Sequence, residues 1–258
     1  MKLVALASLI AALTLISVSD EIQVGKQADR EVRKHVRELR DAETVAYVRG
    51  LGRRLAKVAA GPDYPYTFSV ADYKELNAFA LPGGPIWIHR GVLEAAANEA
   101  QVAGVVAHEI AHIAERHAAS RLTASVLTNM GLGLLGAMLG NSGGATAAQG
   151  AAGLMTNGVF LKFSRDDERE ADRVGLQLMS KAGWDGRGMV ELFQILRRQS
   201  ARDPSSVDAF FSSHPSPDDR IARLQAVAGK TRGRLDSQQF RIVKARLRTL
   251  PPARPMPR

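Results

Sequence analysis

A helix carrying a metal site is predicted by the segment His108-Glu109-Ile110-Ala111-His112. It lies in an alanine-rich stretch, 92–122, whose apolar spacing predicts one long helix. Helical residues four positions apart share a face, so both imidazoles can reach one zinc ion about 2.0–2.1 Å from each nitrogen. Glu109 lies one step around the helix, where it cannot be a ligand beside them but can act as a general base.

A third ligand is supplied by the segment Glu168-Arg169-Glu170-Ala171-Asp172, in a predicted helix over 165–181. Glu168 and Asp172 are again four residues apart, so they share a helical face. We assign Glu168 as the ligand. Asp172 is expected to accept the second ring N–H of a ligating histidine and so to fix its tautomer. Ala171 and Gly175 are small enough for this helix to approach the first one closely.

His117 is the competing candidate for the third ligand. The pattern H-E-x-x-H-x-x-G-x-x-H requires Gly at 115 and His at 118, but Glu115 and Ala118 stand there. His117 is one residue out of phase with that pattern. We therefore expect it to be an exposed helical residue.

The remaining patterns predict a mainly helical α+β domain. Apolar residues recur every three or four positions within 20–60, as one buried helical face requires. Residues 66–70 alternate like a strand. Residues 77–89 are expected to form two extended pieces around Pro82-Gly83-Gly84, the second beginning at a sheet edge because Pro85 lacks an N–H. Further helices are expected over 189–198 and from 218.

The N-terminus has the pattern of an export signal. Lys2 precedes an apolar run, 3–18, and Ser17 and Ser19 suit cleavage after residue 19. The prediction is a signal peptide over 1–19, a metallopeptidase domain over 20–229 with a Gly/Ala-rich insert or lid at 123–160, and a periplasmic location. The alternative is an uncleaved inner-membrane anchor. The chain has no cysteine, which excludes lipoprotein processing, disulfides and thiolate sites.

The positive charge of the chain is concentrated at its C-terminus. Residues 230–258 contain nine Lys or Arg and one acid, Asp236, and therefore carry nearly all of the net charge of +9. We expect a basic, solvated, partly disordered tail, with contact to an anionic membrane surface as the alternative. Aromatic residues make up only 5% of the chain, and no aromatic-rich basic stretch suggests nucleic-acid binding.

Together these motifs resemble the HtpX and CAAX-prenyl-protease family of zinc metallopeptidases, and within it a periplasmic BepA-like branch. The resemblance runs from about Asp20 to Ala228. It rests on H-E-x-x-H, on Ser164-Arg165-x-x-Glu168-x-x-Ala171-Asp172, and on the stretches 77–84, 98–101 and 213–215. It implies a zincin-like fold in which a small, edge-exposed β-sheet packs on the H-E-x-x-H helix.

The resemblance also implies roles for individual residues. His108, His112 and Glu168 match the ligands of one zinc per chain, Glu109 matches the base, and Asp172 matches the acid behind a ligand.

Three further features follow from the same resemblance. The segment 86–89 resembles a strand that pairs with extended peptide substrates. His214 matches a histidine that either stabilises the oxyanion or occupies the open position of zinc, and Arg220, six residues beyond it, is expected to meet the developing oxyanion together with His214. The helical repeats of BepA-like proteins have no counterpart in residues 230–258.

The expected function is a zinc endopeptidase that hydrolyses unfolded or misassembled cell-envelope proteins, with a possible connection to outer-membrane assembly machinery. The alternative is a zinc-stabilised chaperone or assembly factor for outer-membrane proteins with little proteolytic activity. Glu109 favours the enzyme, because a purely structural zinc would not need a carboxylate beside its open position.

Overall fold

The computed structural model describes residues 16–124, 162–215, 218–229 and 231–257. Helices dominate, and three strands form one small sheet. The longer helices are α1 (Val18–His35), α2 (Ala42–Ala56), α4 (Glu99–Ala114), α5 (Arg165–Lys181), α6 (Arg187–Arg202), α8 (Asp218–Ala228) and α9 (Gln238–Leu247). The short elements are β1 (Thr67–Ala71), β2 (Ala78–Ala80), β3 (Pro85–His89), α3 (Arg90–Ala95), a 3-10 turn (Pro204–Ser206) and α7 (Asp208–Ser213).

The three strands are arranged in the order β1-β3-β2. β1 runs parallel to β3, with Phe68 opposite Ile86, and β2 runs antiparallel to it, with Phe79 opposite Trp87. Among the described residues β3 is therefore the central strand, and the expectation that Pro85 begins an edge strand is wrong. Proline is tolerated there because it is the first residue of the strand. The predicted turn at 82–84 is present, with Gly83 at φ +67.

Helix α4, which carries His108 and His112, lies at the centre of the domain. All sixteen of its residues are buried, between α2, α5, α6 and the β2 side of the sheet. The sequence predicted one helix over 92–122, whereas the structure has breaks after Ala95 and after Ala114. The first break arises because the Asn98 side chain accepts a hydrogen bond from the Gln101 N–H and so starts a new helix.

Helix α5 begins and ends where the sequence predicted. Ser164 and Asp167 exchange the two hydrogen bonds of a capping box, which fixes the first turn. A Cβ placed at Gly175 would lie 3.3 Å from the backbone of both Ala107 and His108. The predicted close approach of α5 to α4 is therefore confirmed, and it brings Glu168 and Asp172 to the face that carries the histidines.

The C-terminal segment differs from the predicted solvated tail. Phe240, Val243 and Leu247 on one face of α9 are at most 2% exposed and belong to the main core. Several of the basic residues are engaged within the protein: Arg246 pairs with Asp41, and Lys244 donates to the Glu94 carbonyl. Helix α9 is amphipathic: its long cationic side chains cover the outer face while its apolar side chains are buried. The basic composition alone therefore did not reveal a packed helix.

Buried Glu99 joins this C-terminal segment to the start of α4. Its carboxylate accepts hydrogen bonds from Ser237 Oγ at 2.8 Å and Trp184 Nε1 at 2.9 Å, and it pairs with Arg234 at 3.2 Å. A buried carboxylate requires such partners. The segment 231–257 is therefore part of the folded domain.

At the N-terminus, α1 begins at Val18 with Ser17 as its cap, so the predicted cleavage after Ser19 falls within the first helical turn. Most of the predicted signal peptide and nearly all of the insert at 123–160 lie outside the described residues. Within the described part, no helix is both long enough and apolar enough to cross a membrane.

Candidate metal centre

Four side chains from three parts of the fold meet beside α4. They are His108 and His112 from α4, Glu168 from the first turn of α5, and His214 from the residue that follows α7. Each is at most 1% exposed. One potential ligand atom from each lies within 4.8 Å of all the others.

The spacing of these atoms suits zinc. Nε2 of His108 and Nε2 of His112 are 3.0 Å apart, and they lie 3.5 and 3.4 Å from the two oxygens of Glu168. Ligands at about 2.0–2.1 Å around a tetrahedral ion stand roughly 3.3–3.4 Å from one another. A set of imidazole and carboxylate donors without sulfur is also usual for catalytic zinc. The residues present therefore fit this metal.

Glu168 is suited to act as an anionic ligand. Burial opposes its ionisation, but His214 and the hydrogen bonds from His108 and His112 outweigh burial and hold the pKa of Glu168 well below its usual value. Arg220 also pairs with this carboxylate. The carboxylate is therefore negative over the physiological range.

Glu109 lies next to the cluster but outside the set of ligand atoms. It is fully buried, and neither of its carboxylate oxygens accepts a well-aligned hydrogen bond from any described residue. Burial raises its pKa. The backbone of Ala80 approaches the carboxylate and lowers its pKa, but a buried carboxylate without a well-aligned partner is still unfavourable for stability and is typical of a functional position.

Asp172 and Arg220 lie behind the ligands. Asp172 Oδ1 is 3.2 Å from Nδ1 of His108, although the ring N–H is not well aligned with it. Arg220 binds Asp172 through two hydrogen bonds of 2.7 Å each and stacks on the ring of Phe193 at 4.4 Å. Arg220 thus links the ligand Glu168 to the acid behind His108.

His214 lies among the ligand atoms in this conformation. Its Nδ1 is 2.9 Å from Glu168 Oε1 and 3.4 Å from Nε2 of His108, while its Nε2 is 3.6 Å from Glu109 Oε1. The ring also stacks on Phe210. Of the two roles left open by the sequence, this geometry favours that of a fourth ligand.

Two contacts at the site were not predicted from the sequence. His117 is buried, not exposed as expected, and its Nδ1 lies 3.0 Å from Nδ1 of His112. Phe163 stacks on the His112 ring with centroids 3.9 Å apart. The Phe163 contact could not be read from the sequence, because this residue is 51 positions from His112 and lies just before α5.

Comparisons with known proteins agree with this geometry. Residues 42–228 match peptidase family M48. The beta-barrel assembly-enhancing protease of Escherichia coli K12 is 32% identical over 239 residues, which are 90% of this chain and 49% of that protein. The mitochondrial metalloendopeptidase OMA1 of Schizosaccharomyces pombe is 32% identical over 182 residues, 70% of this chain and 52% of that protein.

A third relative is metalloprotease YcaL of Escherichia coli K12, which is 26% identical over 179 residues, 67% of this chain and 68% of that protein. The chain spans about half the length of the first two relatives. The family match covers most of the domain, including all the residues assembled above. The chain belongs to peptidase family M48, a family of metallopeptidases.

Proposed function

We propose that the protein is a zinc-dependent endopeptidase that cleaves polypeptides bound in extended form. The observation that carries this proposal is the pairing of Glu109 with the ligand cluster. A buried carboxylate without a well-aligned partner stands beside four zinc-type donors. A structural zinc site has no need of such a group, whereas peptide hydrolysis needs a base at that place.

In this proposal His108, His112 and Glu168 hold one zinc ion. When bound, zinc supplies a Lewis acid that polarises the scissile carbonyl and makes water more acidic. Glu109 takes the proton of the attacking water and delivers it to the leaving amine. Burial raises the pKa of Glu109 and so brings it closer to the value that favours a general base near neutral pH.

Asp172 and Arg220 position the ligands. Asp172 orients His108, and Arg220 holds Asp172 and Glu168 together. We expect neither to touch the substrate, because each lies behind a ligand in the observed geometry; Arg220 is therefore proposed to position these groups and not to meet the oxyanion as the sequence suggested. His214 would have two roles: at rest its ring would be a further ligand of the bound ion, and after displacement it would donate to the developing oxyanion. The contact of its Nδ1 with Glu168 Oε1 supports the resting role.

The substrate strand is expected to lie along β2, not β3 as the sequence suggested. Leu81 N–H donates to Pro85 O, and His89 N–H donates to Asn77 O. Because alternate residues of an antiparallel strand face its partner, Ala78 and Ala80 present their backbone N–H and C=O groups away from β3. This outer edge of β2 lies on the α4 side of the sheet, where the backbone of Ala80 approaches Glu109. We expect an extended peptide to pair along it beside Glu109.

The Glu109→Gln variant tests the proposal. It removes the capacity for proton transfer and leaves the ligands in place. We expect loss of casein or unfolded-protein cleavage by the purified variant, with one zinc per chain retained. Glu115→Gln, at the end of the same helix, is the matched control and should cleave at the wild-type rate. Appreciable turnover by Glu109→Gln would contradict the assigned base.

In the cell we propose a role in quality control of envelope proteins in the periplasm, after export by the N-terminal signal. The name of the Escherichia coli relative includes beta-barrel assembly, which supports a connection to outer-membrane assembly machinery. The metalloproteases among the relatives favour this role over a chaperone without activity. Envelope proteins that accumulate in cells carrying Glu109→Gln would identify the substrates.

The predicted signal-peptide cleavage and membrane contact through the basic segment 230–258 are tested separately. N-terminal sequencing of the mature protein should find Asp20 or a neighbouring residue, whereas intact Met1 in a membrane fraction would indicate an anchor. Membrane-surface contact through 230–258 receives little support from the observed pairing of Arg246 and Lys244 with groups of the domain. Binding of the protein to anionic vesicles that is lost at high salt would support membrane-surface contact after all.

A further inference from the structure

His117 approaches the metal centre from beyond the end of α4. Its side chain is 4% exposed, and its Nδ1 lies 3.0 Å from Nδ1 of His112. Nε2 of His112 points the other way, toward His108 and Glu168. His117 therefore contacts the ring nitrogen of His112 that faces away from the metal position.

A break in the helix makes this contact possible. Residues five apart on a regular α-helix are separated by roughly 140° around the axis, so their side chains do not meet. Here α4 ends at Ala114, and Arg116 has φ +58, in the left-handed region that is unusual for a residue other than glycine. Arg116 is held there by fully buried Glu21, whose Oε2 accepts from its Nε at 3.1 Å. The change of chain direction at Arg116 places the His117 ring next to His112.

The position of one proton follows from this contact. Two ring nitrogens 3.0 Å apart that do not share a metal ion must share one proton, because two lone pairs or two N–H groups would repel. If Nε2 of His112 is a metal ligand, the proton of that ring is on Nδ1. His112 therefore donates and Nδ1 of His117 accepts. The proton of His117 is then on Nε2, which lies 3.5 Å from Glu170 Oε2.

We propose that His117 is a positioning residue that fixes the tautomer and ring orientation of His112 for metal binding. The two ligand histidines then have different outer partners: Asp172 faces Nδ1 of His108, and a second imidazole faces Nδ1 of His112. Loss of such outer partners typically weakens metal affinity about 10–100-fold. This inference rests on the proposed zinc site, but it does not depend on peptidase activity.

Two variants separate the hydrogen bond from simple packing. His117→Phe keeps an aromatic ring and removes the acceptor, whereas the Oδ1 of His117→Asn can take the place of Nδ1. Zinc affinity of each purified apo-protein is measured by competition with a chromogenic chelator, and the thermal midpoint is measured without metal. We expect His117→Phe to bind zinc about 10–100-fold more weakly, and His117→Asn to recover most of that loss.

His89→Phe is the matched control, since it removes a buried histidine whose Nδ1 contacts the Glu75 carbonyl and not the ligands. It should change the thermal midpoint but not the zinc affinity. Wild-type zinc affinity in His117→Phe would overturn the proposal. So would equal losses in His117→Phe and His117→Asn that follow their thermal midpoints. Failure of the wild-type protein to bind zinc would instead overturn the metal site itself.

Discussion

Phe240→Ala should lower the free energy of unfolding by about 3–5 kcal/mol. The ring is 2% exposed, and its centroid lies 6.2 Å from that of Tyr47 on α2. Truncation to alanine removes roughly 100 Å² of buried apolar surface, worth about 2.5 kcal/mol at about 25 cal/mol per Å², and the remaining cavity adds to this loss. If residue 240 lay in a solvated tail, the substitution would leave the free energy of unfolding almost unchanged.

The matched control lies two residues further along the same helix. Ile242 is 45% exposed, so Ile242→Ala should change the free energy of unfolding by about 0.5 kcal/mol or less. Urea denaturation of both variants, followed by circular dichroism at fixed zinc concentration, gives the two values directly. Equal midpoints for Phe240→Ala, Ile242→Ala and the wild type would refute the packing of α9 into the core.

Three further predictions concern the site and a buried histidine. The Glu168→Ala variant should contain little zinc in metal analysis, because the substitution removes the anionic member of the three ligands. Full retention of zinc would exclude Glu168 as a ligand. His214→Ala should cleave casein faster if the fourth-ligand contact dominates at rest, and roughly 10²-fold more slowly if the oxyanion role dominates; an unchanged rate would remove His214 from the mechanism. Burial lowers the pKa of His89 to about 4, below the unfolded value of about 6.5. The unfolded state therefore binds the proton first as pH falls, and stability present above about pH 6.5 is lost toward pH 4. Between pH 7 and pH 4 the wild type should lose about 3 kcal/mol more than His89→Phe in urea denaturation, and parallel losses would contradict this.

Local chemistry made parts of the fold readable from the sequence. The helix predicted over 165–181 is observed there as α5, and Ser164 and Asp167 cap its first turn through bonds only three residues apart. Gly175 and the four-residue spacing of Glu168 and Asp172 predicted the approach to α4, and the structure has it. Such features depend on neighbours within one or two helical turns, so a single sequence contains the information.

Features that depend on distant contacts were not readable in this way. The central position of β3 depends on pairing with β1 and β2, which local alternation does not specify. The position of His117 depends on the left-handed conformation of Arg116, which Glu21 holds from 95 residues away. In α9 the apolar spacing of Phe240, Val243 and Leu247 was present, but the surrounding arginines and lysines suggested a solvated segment.

The hydrogen bonds that hold both ends of α4 have a consequence for biosynthesis. Its last turn leads to Arg116, which is bound by Glu21 from α1, and its first residue, Glu99, is bound by Ser237, 138 positions later. A ribosome releases the N-terminal partner well before α4, and the segment that contains Ser237 long after it. Contacts of such long range form late in folding. We therefore expect nascent chains to emerge without a competent hydrolytic centre, and to gain one only when the segment 231–257 has been synthesised.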